Sequence, residues 1–272
     1  MAENKGLNVL ITGAGRGIGK GVAMALGEAG YNVGVHYNSS ADGALEAVEY
    51  IKQCGGKAKA YQADLGQISE INRLFDEYLA DFGHVDIMIN NSGITKYADI
   101  LDATPELFDL LTNVDWRATF FCTQLAARDM IKNGVHGSII CTSSVQDEVQ
   151  NNGASVYASN KCAVTKFVKH AALELADYKI RVNCISPGHI KVLPDDVILP
   201  REKEQVARIP WHRVGRPRDI ANMILFLIDN DKADYITGAE FCVNGGLPLP
   251  SMLDNFRNPL PPVGVAVWPP EE

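Results

Sequence analysis

"LNVLITGAGRGIGKGVAMAL", residues 7–26, passes directly from an apolar run into a glycine-rich turn and then into a helical pattern. Residues 7–12 have the length and apolarity of a β-strand. Ile18, Val22 and Leu26 then recur at four-residue steps, which puts them on one face of a helix. Between strand and helix stand Gly13, Gly15, Gly17 and Gly19. Their spacing is not G-x-G-x-x-G. It is T-G-x-x-x-G-x-G, on Thr12, Gly13, Gly17 and Gly19. Glycine allows the chain to turn sharply and lets a pyrophosphate reach the amide groups at a helix N-terminus. The stretch therefore predicts a strand–turn–helix unit that binds a nucleotide.

The same alternation continues outward. "YNVGVHY", "KAKAYQA", "VDIMIN", "GSIICTS", "IRVNCIS" and "EFCVNG" read as further strands, with helical patterns between them. Several strands are apolar at successive positions, as a sheet covered on both faces requires. The expectation is an α/β fold: a Rossmann-type doubly wound parallel sheet of about seven strands, with helices on both faces. It forms one domain over residues 1–250. "TPELFDLLTNVDWRATFFCTQLAARDMIK", residues 104–132, reads as one long helix with Thr104 as N-cap and Pro105 in its first turn. Two segments break the rhythm. Residues 189–215 form an insertion of mixed polarity, suited to a lid over a substrate. Residues 251–272 form a proline-rich tail, expected to pack on the protein.

Composition excludes several classes of function. The chain has 272 residues, 46% hydrophobic and 21% charged, with a formal net charge of −8. No basic block suggests nucleic acid. No apolar run approaches the roughly 20 residues of a membrane span. The six cysteines form no C-x-x-C and no zinc spacing, so no metal is expected. Reduced thiols and the lack of a secretory pattern suggest a cytoplasmic protein.

The second strand ends "VHYNSS", residues 35–40, with no acid from Asn32 to Ser40 to bind a ribose 2′-hydroxyl. Arg16, Tyr37, Asn38, Ser39 and Ser40 suit a 2′-phosphate instead, which favours NADP(H) over NAD(H). Asp64 and Leu65 follow the third strand. Asp64 either accepts from an adenine amino group or caps the strand. "INNSG" ends the fourth strand with Asn91, Ser92 and Gly93, small enough to let a ribose approach. "GASVYASNKCAV", residues 153–164, sets Tyr157 and Lys161 four positions apart on one helix face, among small neighbours.

Together these segments resemble the short-chain dehydrogenase/reductase family, from about residue 6 to Gly246. T-G-x-x-x-G-x-G, N-N-x-G, a serine after the fifth strand, Y-x-x-x-K and a P-G after the sixth occur in family order. The resemblance implies that Asn113, Ser144, Tyr157 and Lys161 form a proton relay. It also implies that Gly13, Gly15, Arg16, Gly17, Ile18, Gly19, Pro187, Gly188 and Ile190 join the cofactor contacts, along with Tyr157 and Lys161. Ser144 lies thirteen positions before Tyr157, the family's usual separation. Val192 stands where the family commonly has a threonine that bonds the nicotinamide carboxamide.

The pair in "GASVYASNKCAV" then has a chemical purpose. An ordinary phenol, with a pKa near 10, is a poor base at neutral pH. A neighbouring ammonium favours its phenolate. Tyr157 is expected to exchange the proton, and Ser144 to hydrogen-bond the substrate oxygen. The implied function is an NADP(H)-dependent oxidoreductase interconverting a ketone or aldehyde with an alcohol. The motifs look most like 3-oxoacyl-carrier-protein reductases and bacterial glucose 1-dehydrogenases. A sugar or polyol dehydrogenase is the alternative within the fold, and a catalytically silent nucleotide sensor or scaffold the alternative outside it. Ser144, Gln146, Tyr157 and His189 are the expected substrate contacts, although His189 also reads as a surface residue. Residues 94–98, 145–152 and 189–215 are expected to set specificity. The family is usually tetrameric, so a homotetramer is expected.

Overall fold

The computed structural model describes residues 6–192 and 202–249. β1 (Asn8–Ile11), β2 (Asn32–Tyr37), β3 (Ala58–Gln62), β4 (Ile87–Asn90), β5 (Ser138–Thr142), β6 (Arg181–Pro187) and β7 (Glu240–Val243) coincide with the seven runs read from sequence. They form one parallel sheet in the order β3-β2-β1-β4-β5-β6-β7. The order reverses between β1 and β4, the switch point at which open α/β sheets bind ligands beyond the strands' carboxyl ends.

Helices cover both faces. α1 (Gly17–Glu28), α2 (Ala41–Gln53) and α8 (Pro217–Leu227) pack on one side, where Val9, Ile11, Val33 and Ile140 meet Val22, Leu26 and Ile224. α3 (Ile68–Phe82), α5 (Ala118–Asn133) and α6 (Ser155–Leu175) pack on the other. There Leu10, Met88 and Ile139 meet Phe75, Met130 and Val164. β1 is buried at every position, whereas edge strand β3 buries only Ala58 and Tyr61. Truncating a central residue such as Ile11 to alanine would cost about 2–5 kcal/mol. α7 (Glu202–Arg208) and α9 (Asn230–Ala233) are short.

The expected long helix is present but interrupted. Thr104 Oγ1 accepts the Leu107 N–H at 3.3 Å, and Pro105 opens α4 (Pro105–Leu111). Residues Thr112–Arg117 then widen into a π-helical turn before α5 begins. The turn contains Asp115, a wholly buried acid that accepts the Ile94 N–H at 2.7 Å. The extra residue in the turn accompanies its inward position.

At the strands' amino ends buried acids have structural partners. Asp86 Oδ2 accepts the Asn8 N–H at 2.7 Å, and Asp129 Oδ2 accepts the Val85 N–H at 2.9 Å. No helix among the described residues is long and apolar enough to cross a membrane. Residues 193–201 of the expected lid, and the tail 251–272, lie outside the described residues.

Candidate active site

The glycine turn is tied to the end of β4. Thr12 Oγ1 accepts the N–H groups of Asn91 and Ser92, at 3.0 and 3.1 Å. Asn91 Nδ2 donates to the carbonyls of Thr12 and Gly13, at 3.0 and 3.2 Å. α1 comes so close that a Cβ on Gly19 would lie 2.3 Å from the Gly13 carbonyl oxygen. That contact requires a residue without a side chain.

His36 adds a tie that the sequence reading missed. Its Nδ1 accepts the Gly13 N–H at 3.0 Å, and its Nε2 donates to the Ala63 carbonyl at 3.1 Å. One ring nitrogen accepting and the other donating is the neutral imidazole. Burial pushes its pKa down to about 4. The available signal was a histidine flanked by apolar residues in β2.

The residues at this end fit a dinucleotide. α1 starts at Arg16 with no side-chain cap and no acid in its first turn. Its N-terminal amides and the positive end of its dipole therefore meet the loop unopposed, a donor set suited to a pyrophosphate. The end of β2 lies alongside, where a Cβ on Gly15 would fall 2.6 Å from the Ser40 carbonyl. Arg16, Asn38 and Ser39 are exposed, and Tyr37, Ser40 and Ile18 half-buried. Of the two roles foreseen for Asp64, its Oδ1 is seen capping a turn, accepting the Gly66 N–H at 2.9 Å. The Leu65 side chain is buried in the core. Pro187 ends β6, and the Gly188 N–H donates to the Val243 carbonyl at 3.1 Å.

Ser144, Tyr157 and Lys161 lie beyond β5, nearly buried. Ser144 Oγ accepts the Gln146 N–H at 3.2 Å and caps a short turn, Val145–Asp147. A hydroxyl held through its lone pair keeps its proton to give away. Lys161 Nζ donates to the Thr142 carbonyl at 3.1 Å and stands 5.5 Å from the Tyr157 ring centroid. The two side chains share a face, as their spacing predicts. Asn113 sits in the π-helical turn, which packs against α6, and its carbonyl accepts the Ala118 N–H.

Asp115, also missed from sequence, lies behind this group. A Cβ on Gly93 would sit 3.2 Å from Asp115 Oδ1 and 3.3 Å from Lys161 Nζ. Glycine thus lets acid and ammonium close on the same backbone. Burial pushes the Asp115 carboxyl above the usual range, and the Lys161 ammonium opposes that rise. In the sequence it reads only as one more acid in an amphipathic helix. Asp147 braces the serine turn: its Oδ2 accepts from Ser143 Oγ at 3.0 Å and from Thr165 Oγ1 on α6 at 2.6 Å.

The expected specificity segments partly converge. Gln146 Nε2 donates to the Tyr97 hydroxyl at 3.1 Å, and the Ala98 N–H donates to the Gly153 carbonyl at 2.9 Å. The insertion is closed at its base by a bridge between Ile190 and Gly215. Val192 reaches the glycine turn, where a Cβ on Gly17 would lie 3.3 Å from its Cγ1. His189 is half-buried and lines a cavity of about 290 Å³ with Ile190, Trp211, Arg213 and Asn244. Asn113, Ser144, Tyr157 and Lys161 are not among the residues lining that cavity.

Comparison with known proteins agrees with this fold. A family model described as enoyl-(acyl carrier protein) reductase matches residues 13–248. The 3-oxoacyl-[acyl-carrier-protein] reductase FabG of Staphylococcus aureus is 38% identical over 241 residues, 88% of this chain and 97% of that one. The tetrahydroxynaphthalene reductase of Pyricularia oryzae is 35% identical over 260 residues, 90% of each. The acetoin dehydrogenase of Enterobacter cloacae superposes with a TM-score of 0.84 at 32% identity, over 90% of this chain and 97% of that one. An angucycline C-6 ketoreductase with bound NADP gives 0.82 at 32%, over 90% and 96%. By sequence and by fold, the chain belongs to the short-chain dehydrogenase/reductase family of oxidoreductases.

Proposed function

We propose that the protein is a cytoplasmic NADP(H)-dependent carbonyl reductase, interconverting a ketone or aldehyde with an alcohol. The observation that carries this reading is the grouping of Ser144, Tyr157 and Lys161 at the carboxyl end of β5 and on α6, with the serine's lone pair engaged by the Gln146 N–H. Gly13, Gly15, Gly17, Ile18 and Gly19 hold the pyrophosphate, and Arg16 with Asn38, Ser39 and Ser40 holds the 2′-phosphate. Asn91, Ser92, Gly93, Lys161, Pro187, Gly188 and Ile190 hold the nicotinamide half. The bound cofactor supplies or accepts the hydride.

The chain's own residues manage the oxygen. Ser144 donates its hydroxyl proton in a hydrogen bond to the carbonyl oxygen as negative charge develops there. Tyr157 Oη then delivers a proton to that oxygen, leaving an alcohol and a phenolate. The Lys161 ammonium beside the ring stabilises the negative charge on the phenol. Asn113 completes the relay that returns a proton to Tyr157. Oxidation runs the same steps backward, with Tyr157 as base. The similarity to FabG and to a ketoreductase holding NADP supports both reaction class and cofactor. The test is a spectrophotometric screen of ketones, aldehydes and sugars with NADPH and NADH. Faster oxidation of NADPH with at least one carbonyl compound is expected; no turnover with either nucleotide overturns the reading.

A further inference from the structure

Among the polar side chains of residues 145–152, most are engaged away from the relay or exposed. Asp147 Oδ2 is taken by Ser143, Thr165 and Ser186; its Oδ1 is also enclosed without a hydrogen-bond partner among the described residues, but Asp147 does not hold Ser144 Oγ. Gln150 Nε2 donates to the Glu148 carbonyl at 2.7 Å, and Asn151 and Asn152 are exposed. Gln146 differs. Its backbone N–H is the group that orients Ser144 Oγ, so it is built into the turn that presents the serine. One end of its amide is held by the Tyr97 hydroxyl at 3.1 Å. The other end, Oε1, is shut from solvent and has no hydrogen-bond partner among the described residues.

An enclosed amide oxygen without a partner is costly, because it has given up water and gained nothing. Turning the amide over does not remove the deficit. Tyr97 would then donate to Oε1, and Nε2 would be the enclosed atom without an acceptor. A ligand hydroxyl satisfies either orientation, since it both donates and accepts.

Resting on the carbonyl-reductase reading, we propose that Gln146, held by Tyr97, is a specificity-determining residue that binds a hydroxyl on the substrate close to its carbonyl. The preferred substrates are then hydroxyketones and hydroxyaldehydes. Sites that hydrogen-bond a hydroxyl reject the analogue lacking it, because their own polar group is left unpaired.

The experiment compares kcat/KM for 3-hydroxy-2-butanone and 1-hydroxy-2-butanone with that for 2-butanone. An acetoacetyl thioester, which has no hydroxyl, is the further comparison. The enzymes are the unaltered protein, Gln146→Leu and Tyr97→Phe. The unaltered enzyme should favour at least one hydroxyketone over 2-butanone and the thioester by about tenfold or more. Gln146→Leu should erase most of that preference, lowering kcat/KM for the hydroxyketones about tenfold more than for 2-butanone. Tyr97→Phe removes one hydroxyl from a side chain that is 55% exposed, so it keeps the fold testable if Gln146→Leu fails to fold. It should reduce the preference about threefold. No preference in the unaltered enzyme, or a preference that survives Gln146→Leu, overturns the proposal. So does an undiminished preference in Tyr97→Phe if the leucine variant does not fold. Failure to reduce any carbonyl compound would instead sink the reductase reading, and this proposal with it.

Discussion

Removing one oxygen atom from Tyr157 separates proton transfer from the rest of the site. The ring is nearly buried, and its contact with Lys161 is to the ring face. Tyr157→Phe should therefore keep the fold and NADPH binding while kcat drops by about a hundred- to ten-thousandfold, the usual worth of a placed proton donor. Circular dichroism, fluorescence titration with NADPH and initial rates check the three parts. Near-normal turnover would mean that another group delivers the proton. His36 makes a prediction about pH. A histidine titrates near 6.5 in an unfolded chain and near 4 in this fold, because burial disfavours the imidazolium. Above about pH 6.5 both states are neutral, and the residue adds no pH dependence. As pH falls further, the unfolded chain gains a proton that the folded one refuses. Stability is lost until the folded imidazole itself protonates near pH 4, and the total is on the order of 3 kcal/mol. Melting curves from pH 4 to 8 should show a shallower acid-side fall for His36→Gln. Parallel curves would remove His36 as the cause.

On the proposed reading, the end of β2 and the start of α1 together set which dinucleotide is preferred. "HYNSS" offers no acid to a ribose 2′-hydroxyl, and Arg16 is exposed at the N-cap of α1. Contacts between arginine and phosphate are charge-assisted and comparatively strong. Arg16→Ala should weaken NADPH binding by about tenfold and NADH binding by less than about twofold. Equal losses in isothermal titration would assign Arg16 to the shared pyrophosphate or to the fold. The strands were legible because each is a short apolar run ending in a turn signal, and a covered parallel sheet leaves little choice about burial. The π-helical turn at Thr112–Arg117 was not. Periodicity sees apolar positions, and one inserted residue shifts their phase without interrupting them. Asp115 and His36 stayed hidden for a related reason. Each pairs with backbone far away in sequence, Ile94 and Gly13, and sequence spacing records only local partners. The shared helix face of Tyr157 and Lys161 was legible because their spacing is local and α6 carries both.

At the scale of the whole molecule, the apolar surface exceeds what one chain uses. Trp116, Phe120, Phe121 and Phe167 form a connected group of edge-on and tilted rings, all only partly buried. Phe108 on α4 is 53% exposed and Leu173 on α6 77% exposed. At the sheet's far end β7 is an edge strand with no fully buried residue, and Leu249 nearby is 78% exposed. Unpaired edges and contiguous apolar patches invite association with another chain. A closed assembly with two kinds of two-fold interface, one through α4–α6 and one through β7, contains four chains. Multi-angle light scattering at micromolar concentration should therefore give about four times the chain mass of 29.6 kDa. Phe167→Glu would put a charge into the aromatic group and should lower the measured mass to that of a dimer, because the β7 contact is untouched. A monomer for the unaltered protein would refute the assembly. A tetramer that survives Phe167→Glu unchanged would move the interface off α6.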